Sequence, residues 1–132
     1  MAETKVRCVV VTPEKTELDT QCDALSLPLY DGEAGILPGR APMVGRLGFG
    51  LLKLRSGSNT DLWYVDGGFV QVTRDAVYVL TDRLLKQDKI NLTQAEEDLL
   101  KANSIVANSP ETFALKDRSI AQARAKIKVA KA

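Results

Sequence analysis

Three sets of side chains in this 132-residue chain have types and spacings that invite chemistry. Asp31 and Glu33 put two carboxylates at the entrance of DGEAGILPGRAPMVGRLGFG, residues 31–50, where acid/base work or metal binding would need a partner of another kind. Glu96, Glu97 and Asp98 are consecutive, and on a helix they read as a solvated polar face. Cys8 and Cys22 lack CxxC spacing and each lies in an alternating apolar run, so they read as buried free thiols of a reducing compartment rather than a redox pair. The chain contains no histidine, which removes the usual general base and the commonest metal ligand together. No catalytic group, no metal and no cofactor is expected, and a small hydrolase is disfavoured for want of a nucleophile–base pair.

The 31–50 stretch holds six of the nine glycines and two of the five prolines. A phosphate cradle would need GxxxxGK followed by Ser or Thr, so that backbone amides wrap the phosphates and lysine meets them. Here Gly35 and Gly45 are followed five residues later by Arg40 and Gly50, and no Gly-Lys pair occurs. Two readings remain. The glycines and prolines form tight sheet corners, or they stiffen a loop so that a partner binds it with little ordering cost.

The elements around these residues are mostly short strands. KVRCVVVT (5–12) alternates, with Val6, Cys8 and Val10 on one side, and TQCDALSLPL (20–29) places Leu25, Leu27 and Leu29 on one face. Further strands are read at 51–57, 61–68, 69–73 and 76–82, with breaks at 56–59, 66–68 and 74–75. Trp63 and Tyr64 are neighbours in a strand, so one points to the core and the other to a surface or interface. Such spacing indicates an antiparallel β-sandwich or barrel over 1–87.

Near residue 88 the period becomes helical. Leu92, Ala95, Leu99, Ala102 and Val106 fall on one stripe, with Asn91 as N-cap and Gln94 three residues on. Ser109 and Pro110 start a second helix, about 111–130, whose weak stripe runs through Phe113, Ile120, Ala123 and Ile127. Residues 88–132 thus read as an antiparallel helical hairpin, thinly apolar and dependent on packing against something else. The fold class is α+β, mainly β.

Charge separates the two parts. Residues 1–110 carry twelve Lys/Arg against fifteen Asp/Glu, whereas 111–132 carry six against two. The overall charge of +1 gives no nucleic-acid footprint, and the basic tail suits an acidic partner. No run approaches the ~20 apolar residues of a membrane span, so direct insertion is not expected and the chain reads as cytoplasmic, or attached to a membrane complex from its soluble side.

LPLYDGEAGILPGRAPMVGRLGFG, followed by YVDGGFVQV, AVYVLTD and the closing QARAKIKVA, resembles the epsilon subunit of the rotary proton-translocating ATP synthase, called delta in mitochondria. The resemblance covers nearly the whole chain. It implies a flattened ten-stranded sandwich with a mobile two-helix arm. It also implies a non-catalytic rotor piece joining the gamma subunit to the c-ring, peripheral on the cytoplasmic face of a bacterial inner membrane. Asp31, Glu33, Gly35, Pro38, Gly39, Arg40 and Pro42 would then face the c-ring, and one face of the sandwich would grip gamma. Arg118, Arg124, Lys126 and Lys128 would meet acidic surface of the catalytic alpha and beta subunits when the hairpin opens, restraining ATP hydrolysis.

Two positions depart from the family pattern. Arg40 stands where the family usually has the histidine of GHAP, and a guanidinium does not titrate near neutrality. In INLTQA (90–95), Asn91 and Gln94 replace the carboxylate and arginine of the ATP-binding motif of some relatives, so weak or absent ATP binding is expected. A stand-alone β-sandwich binding or adaptor module is the alternative reading.

Overall fold

The computed structural model describes residues 5–132 and contains, among them, eight strands and two α-helices. The strands are β1 Val6–Val11, β2 Thr16–Cys22, β3 Ala24–Leu29, β4 Gly32–Ile36, β5 Met43–Ser56, β6 Asn59–Val72, β7 Val77–Leu80 and β8 Leu84–Lys86. A short 3₁₀ turn at Gln87–Lys89 leads to α1 Leu92–Asn103 and α2 Pro110–Lys131. The pairing order is β2-β1-β7-β6-β5-β3-β4, with β8 also on β6; only β1 and β7 run parallel.

The long pair β5–β6 explains how one sheet makes two layers. Inward residues of β5 change from odd positions, ending at Leu47, to even ones, Leu52 and Leu54; β6 changes from Trp63 and Val65 to Val70 and Val72. The change falls at Gly48 and at Gly67–Gly68, where φ is +71° and +109°. A Cβ on Gly68 would lie 1.8 Å from the Leu80 carbonyl oxygen, so only glycine permits the approach. One half of β6 pairs with β7 and the other with β8. Two bent strands therefore serve both layers, and eight continuous strands supply the ten segments that the resemblance implied.

Several expectations are corrected by this geometry. Residues 66–68 are not a break but a bend inside one fourteen-residue strand. The stretch 31–50 is mostly strand, with Leu37–Pro42 as its loop. The expected strand 20–29 divides at Asp23, whose N–H donates to Arg55 O (2.7 Å) and whose carboxylate accepts from Gly57 N (2.6 Å), as the chain leaves β1 to pair with β5. β8 was not foreseen.

The core joins both layers through Cys8, Val10, Leu27, Leu52, Val70 and Val79, all fully buried. Cys8 and Cys22 are free and buried, and desolvation pushes the Cys8 thiol up to about 12.

In the hairpin, Asn91 Oδ1 accepts from Gln94 N (3.0 Å) and Ser109 Oγ from Thr112 N (3.2 Å), so both helix starts form as their sequences direct. Ser104–Ser109 folds α2 back so that Asp98–Ile105 faces Ser119–Lys126. The apolar stripe is shorter than expected. α1 ends at Asn103, which leaves Val106 80% exposed, and Phe113 is 56% exposed. Ala95, Ala102, Ala123 and Val129 are the buried residues of the two helices.

Candidate interaction surfaces

The glycine- and proline-rich segment forms an edge and a pole. Among the described residues β4 pairs only with β3, which leaves its other edge unpaired there. Asp31 and Glu33 lie at its beginning, where Ser26 Oγ donates to Glu33 Oε1 (2.6 Å). At its far end Leu37–Arg40 is a type II turn, with Arg40 N–H donating to Leu37 O (3.2 Å), Pro38 presetting the bend and Gly39 at φ +79°. Arg40 Nη1 donates to Gly35 O (2.9 Å), tying that turn to the edge strand. Pro42 closes the loop, exposed like Arg40.

The expected ring-facing residues are therefore not one cluster. About five residues of extended chain, roughly 16 Å, separate the Asp31–Glu33 end from the Arg40–Pro42 end. Beside Arg40 the pole carries Lys5, Arg7 and Arg74; Lys5 pairs with Asp23 (2.5 Å) and Arg7 with Asp19 (2.7 Å).

A second surface was not legible in residue terms beforehand. On the outer face of the layer holding β1, β7 and the second half of β6, Val44, Phe69 and Leu80 are 75%, 59% and 50% exposed. Phe69 stands opposite both Arg46 and Leu80, and Arg46 lies 4.4 Å from the centre of the Tyr30 ring. The row continues into a groove of about 800 Å³ floored by Phe49, Phe69 and Leu80 and edged by Arg46, Asp82 and Arg118. The signal was present in FVQV: Val70 and Val72 fill the core, while Phe69 is apolar on the outward parity.

The third surface is the seam between α2 and the sandwich. Gln122 Nε2 donates to Asp66 Oδ1 (2.8 Å), which also accepts from Tyr64 Oη (2.9 Å). Burial, then the adjacent Asp66 charge, raise the Tyr64 phenol well above its ordinary range, so it remains a donor. Arg118 lies 3.7 Å from Asp82 and 5.8 Å from the Phe49 ring, and Lys126 Nζ is 5.6 Å from the Tyr64 ring. Gln87 Nε2 donates to Val129 O (3.1 Å), which also accepts from Ala132 N (3.2 Å), and to Ala132 O (2.6 Å), holding the end of α2.

Tyr64 is thus the buried neighbour beneath the hairpin and Trp63 packs against the core, so neither faces solvent alone. Of the four basic tail residues, Arg118 and Lys126 meet side chains of the sandwich, Lys128 lines a cleft of the seam together with Glu33 and Phe49, and Arg124 is exposed. Asn91 and Gln94 are committed to α1, where Gln94 Nε2 donates to Asp98 (2.9 Å). Glu96 and Glu97 are exposed, and no group of three or more metal-ligating side chains occurs among the described residues. No helix among them is long and apolar enough to cross a membrane.

Residues 5–87 match the family model described as ATP synthase, Delta/Epsilon chain, beta-sandwich domain. The chain is 44% identical over 126 residues to the ATP synthase epsilon chain of Rhodopirellula baltica, covering 96% of this chain and 98% of that one. It is 25% identical over 123 residues to the ATP synthase epsilon chain, sodium ion specific, of Propionigenium modestum, covering 92% and 90%. Among solved structures, a chain of the Euglena gracilis mitochondrial ATP synthase, OSCP/F1/c-ring, superposes with a TM-score of 0.88 at 17% identity, over all of this chain and 84% of that one. That likeness concerns the fold.

Proposed function

The chain belongs to the ATP synthase delta/epsilon family, and on that premise we propose that it is a non-catalytic central-stalk subunit that couples c-ring rotation to gamma. The observation that carries the assignment is the exposed row Val44–Phe69–Leu80, an apolar face on a stiff two-layer body. A solvated face of that kind marks a protein partner. Gamma is the partner assigned to it, with Arg46 and Arg118 on the rim as charge-bearing contacts.

The open edge of β4, from Asp31 and Glu33 at one end to Gly35, Pro38, Gly39, Arg40 and Pro42 at the other, is assigned to the c-ring. Its turn is tied to the edge strand by the Arg40 guanidinium, which donates to the Gly35 carbonyl. Torque transfer of this sort needs shape and area, which glycine and proline provide, and no reactive centre. The protein acts peripherally, on the cytoplasmic face of a bacterial inner membrane, and catalysis belongs to other subunits.

The hairpin is assigned a regulatory role. Released from its seam, α2 presents Arg118, Arg124, Lys126 and Lys128 to acidic surface of the alpha and beta subunits and restrains hydrolysis. Two experiments test the assignment. Purified chain mixed with gamma co-elutes with it, and Phe69→Glu abolishes co-elution; a variant that still co-elutes removes the face from the interface, and a wild-type chain that never does leaves the stand-alone adaptor. Deleting 88–132 raises ATP hydrolysis by the assembled enzyme, and unchanged hydrolysis rejects the regulatory role while leaving coupling intact.

A further inference from the structure

The pole that carries Arg40 is concave. The Leu37–Arg40 turn, the Thr73–Ala76 turn and the start of β1 enclose a cavity of about 100 Å³, with Lys5, Arg7, Arg40 and Arg74 in its lining against one carboxylate, Asp75. Two of these cations are fixed by carboxylates outside the lining. Lys5 pairs with Asp23, and Arg7 with Asp19 through Nε and Nη2. Such pairing uses only part of each cation's donor set, so both keep N–H groups to give. Arg40 is fixed through Nη1 to Gly35 O (2.9 Å), and among the described residues neither it nor Arg74 has an ion-pair partner. The second turn is equally set. Thr73 Oγ1 donates to Ala76 O (3.0 Å) and accepts from Asp75 N (3.3 Å) and Ala76 N (3.1 Å).

This lining selects a ligand by its chemistry. It offers positive charge and N–H donors held in place beforehand, which suit a small anion rich in acceptor oxygens. The cavity is well below the ~300 Å³ at which pockets for drug-sized molecules begin, so a base and sugar do not enter. We propose that it is a binding site for a single phosphoryl oxyanion, bridging Arg40 on one turn to Arg74 on the other. Inorganic phosphate and the headgroup of an anionic phospholipid share that chemistry. The site belongs to the chain itself and does not rest on the assignment of this pole to the c-ring. Asp75 opposes the anion from the same lining, and Asp19 and Asp23 already offset two of the cations. Binding is therefore modest and weakens as salt rises.

The test is a titration of the full chain with sodium phosphate at fixed ionic strength, chloride making up the balance, read by amide NMR shifts. Amides of Gly39, Arg40, Arg74 and Asp75 should shift saturably at millimolar phosphate. Arg40→Gln with Arg74→Gln should weaken binding about tenfold or more. Unchanged amide signals of Val70 and Val79 in that variant verify the fold. Asp75→Asn should tighten binding several-fold. Lys53→Gln with Lys89→Gln removes the same charge at exposed positions outside the cavity and should leave the affinity nearly unchanged.

Flotation with phosphatidylglycerol vesicles then identifies the source. Capture that the Arg40/Arg74 pair abolishes and free phosphate displaces assigns the headgroup; absent capture, or capture that survives the pair, assigns the free ion. The proposal is overturned if phosphate produces no saturable shift in the wild-type chain. It is overturned as well if the Lys53/Lys89 pair weakens binding as much as the cavity pair, or if Asp75→Asn fails to tighten it.

Discussion

The sandwich and the hairpin are built from the same chain by different means. The sandwich buries Leu, Val, Ile and Cys side chains from both layers in one continuous core, with many of them at or below 3% exposure. The hairpin buries three alanines and one valine, and it meets the sandwich through that single valine, hydrogen bonds, a long ion pair and cation–ring contacts. Apolar burial on the first scale sums to a body that opens only by unfolding. Polar contacts at a partly solvated seam contribute little each, because water competes for the same groups. The contrast therefore predicts a rigid part and a releasable one, with no special hinge required.

The largest effect that would sharpen this contrast lies at the bend of β6. Gly68→Ala introduces a Cβ 1.8 Å from Leu80 O at a φ of +109°, so backbone must move in both layers. A loss of about 3 kcal/mol or more is expected in urea unfolding. Gly39 also has positive φ, but its Cβ would meet nothing within 4 Å. Gly39→Ala should cost about 1 kcal/mol, the strain alone. Equal losses at the two sites would mean that the bend is not what joins the layers.

A smaller change should divide the two regions. Val129 is the large apolar side chain fully buried on α2. Val129→Ala removes two methyl groups and should weaken docking by about 1–2 kcal/mol. Amide exchange in α2 should then quicken by about tenfold or more while Val70 and Val79 keep their protection. Joint loss of protection in both regions would show one cooperative unit and break the comparison.

Much of this contrast was legible in the sequence, and the exceptions have physical causes. The inward triplets Val6–Cys8–Val10 and Leu25–Leu27–Leu29 follow from alternation, and both helix starts follow from their caps. The bend at Gly67–Gly68 read as a break because a turn and an internal bend use the same residues; pairing with β5, β7 and β8 decides between them, and pairing is not local. Val106 and Phe113 fit a helical stripe by spacing but fall beyond the length over which the two helices touch. The seam residues Asp66, Gln87 and Gln122 carried no signal, since a polar side chain declares its partner only when distant segments meet, here 56 residues apart for Asp66 and Gln122.

The weakest expected effect concerns acid and the β1–β2 side of the sandwich. Hydrogen bonding to Arg7 holds the Asp19 carboxyl below the ordinary range, and hydrogen bonding to Lys5, then to the Gly57 amide, does so for Asp23. A carboxyl with a depressed folded pKa adds stability that is fully present above its unfolded pKa, about 3.9, and is lost as pH falls through the lower folded value. The melting temperature should therefore drop as pH is lowered from about 5 to about 3, and less steeply in Asp19→Asn and Asp23→Asn. Both pairs are solvent-accessible, so the slope should shrink further in added salt. Asp23 also marks the crossing between layers, where its carboxylate accepts from Gly57 N and its own N–H reaches Arg55. Its substitution should thus flatten the slope more than that of Asp19, whose partners lie within one edge of the sheet. The reverse order would place the acid-sensitive point at the edge rather than at the crossing, and the layers would then be joined through β5 and β6 alone.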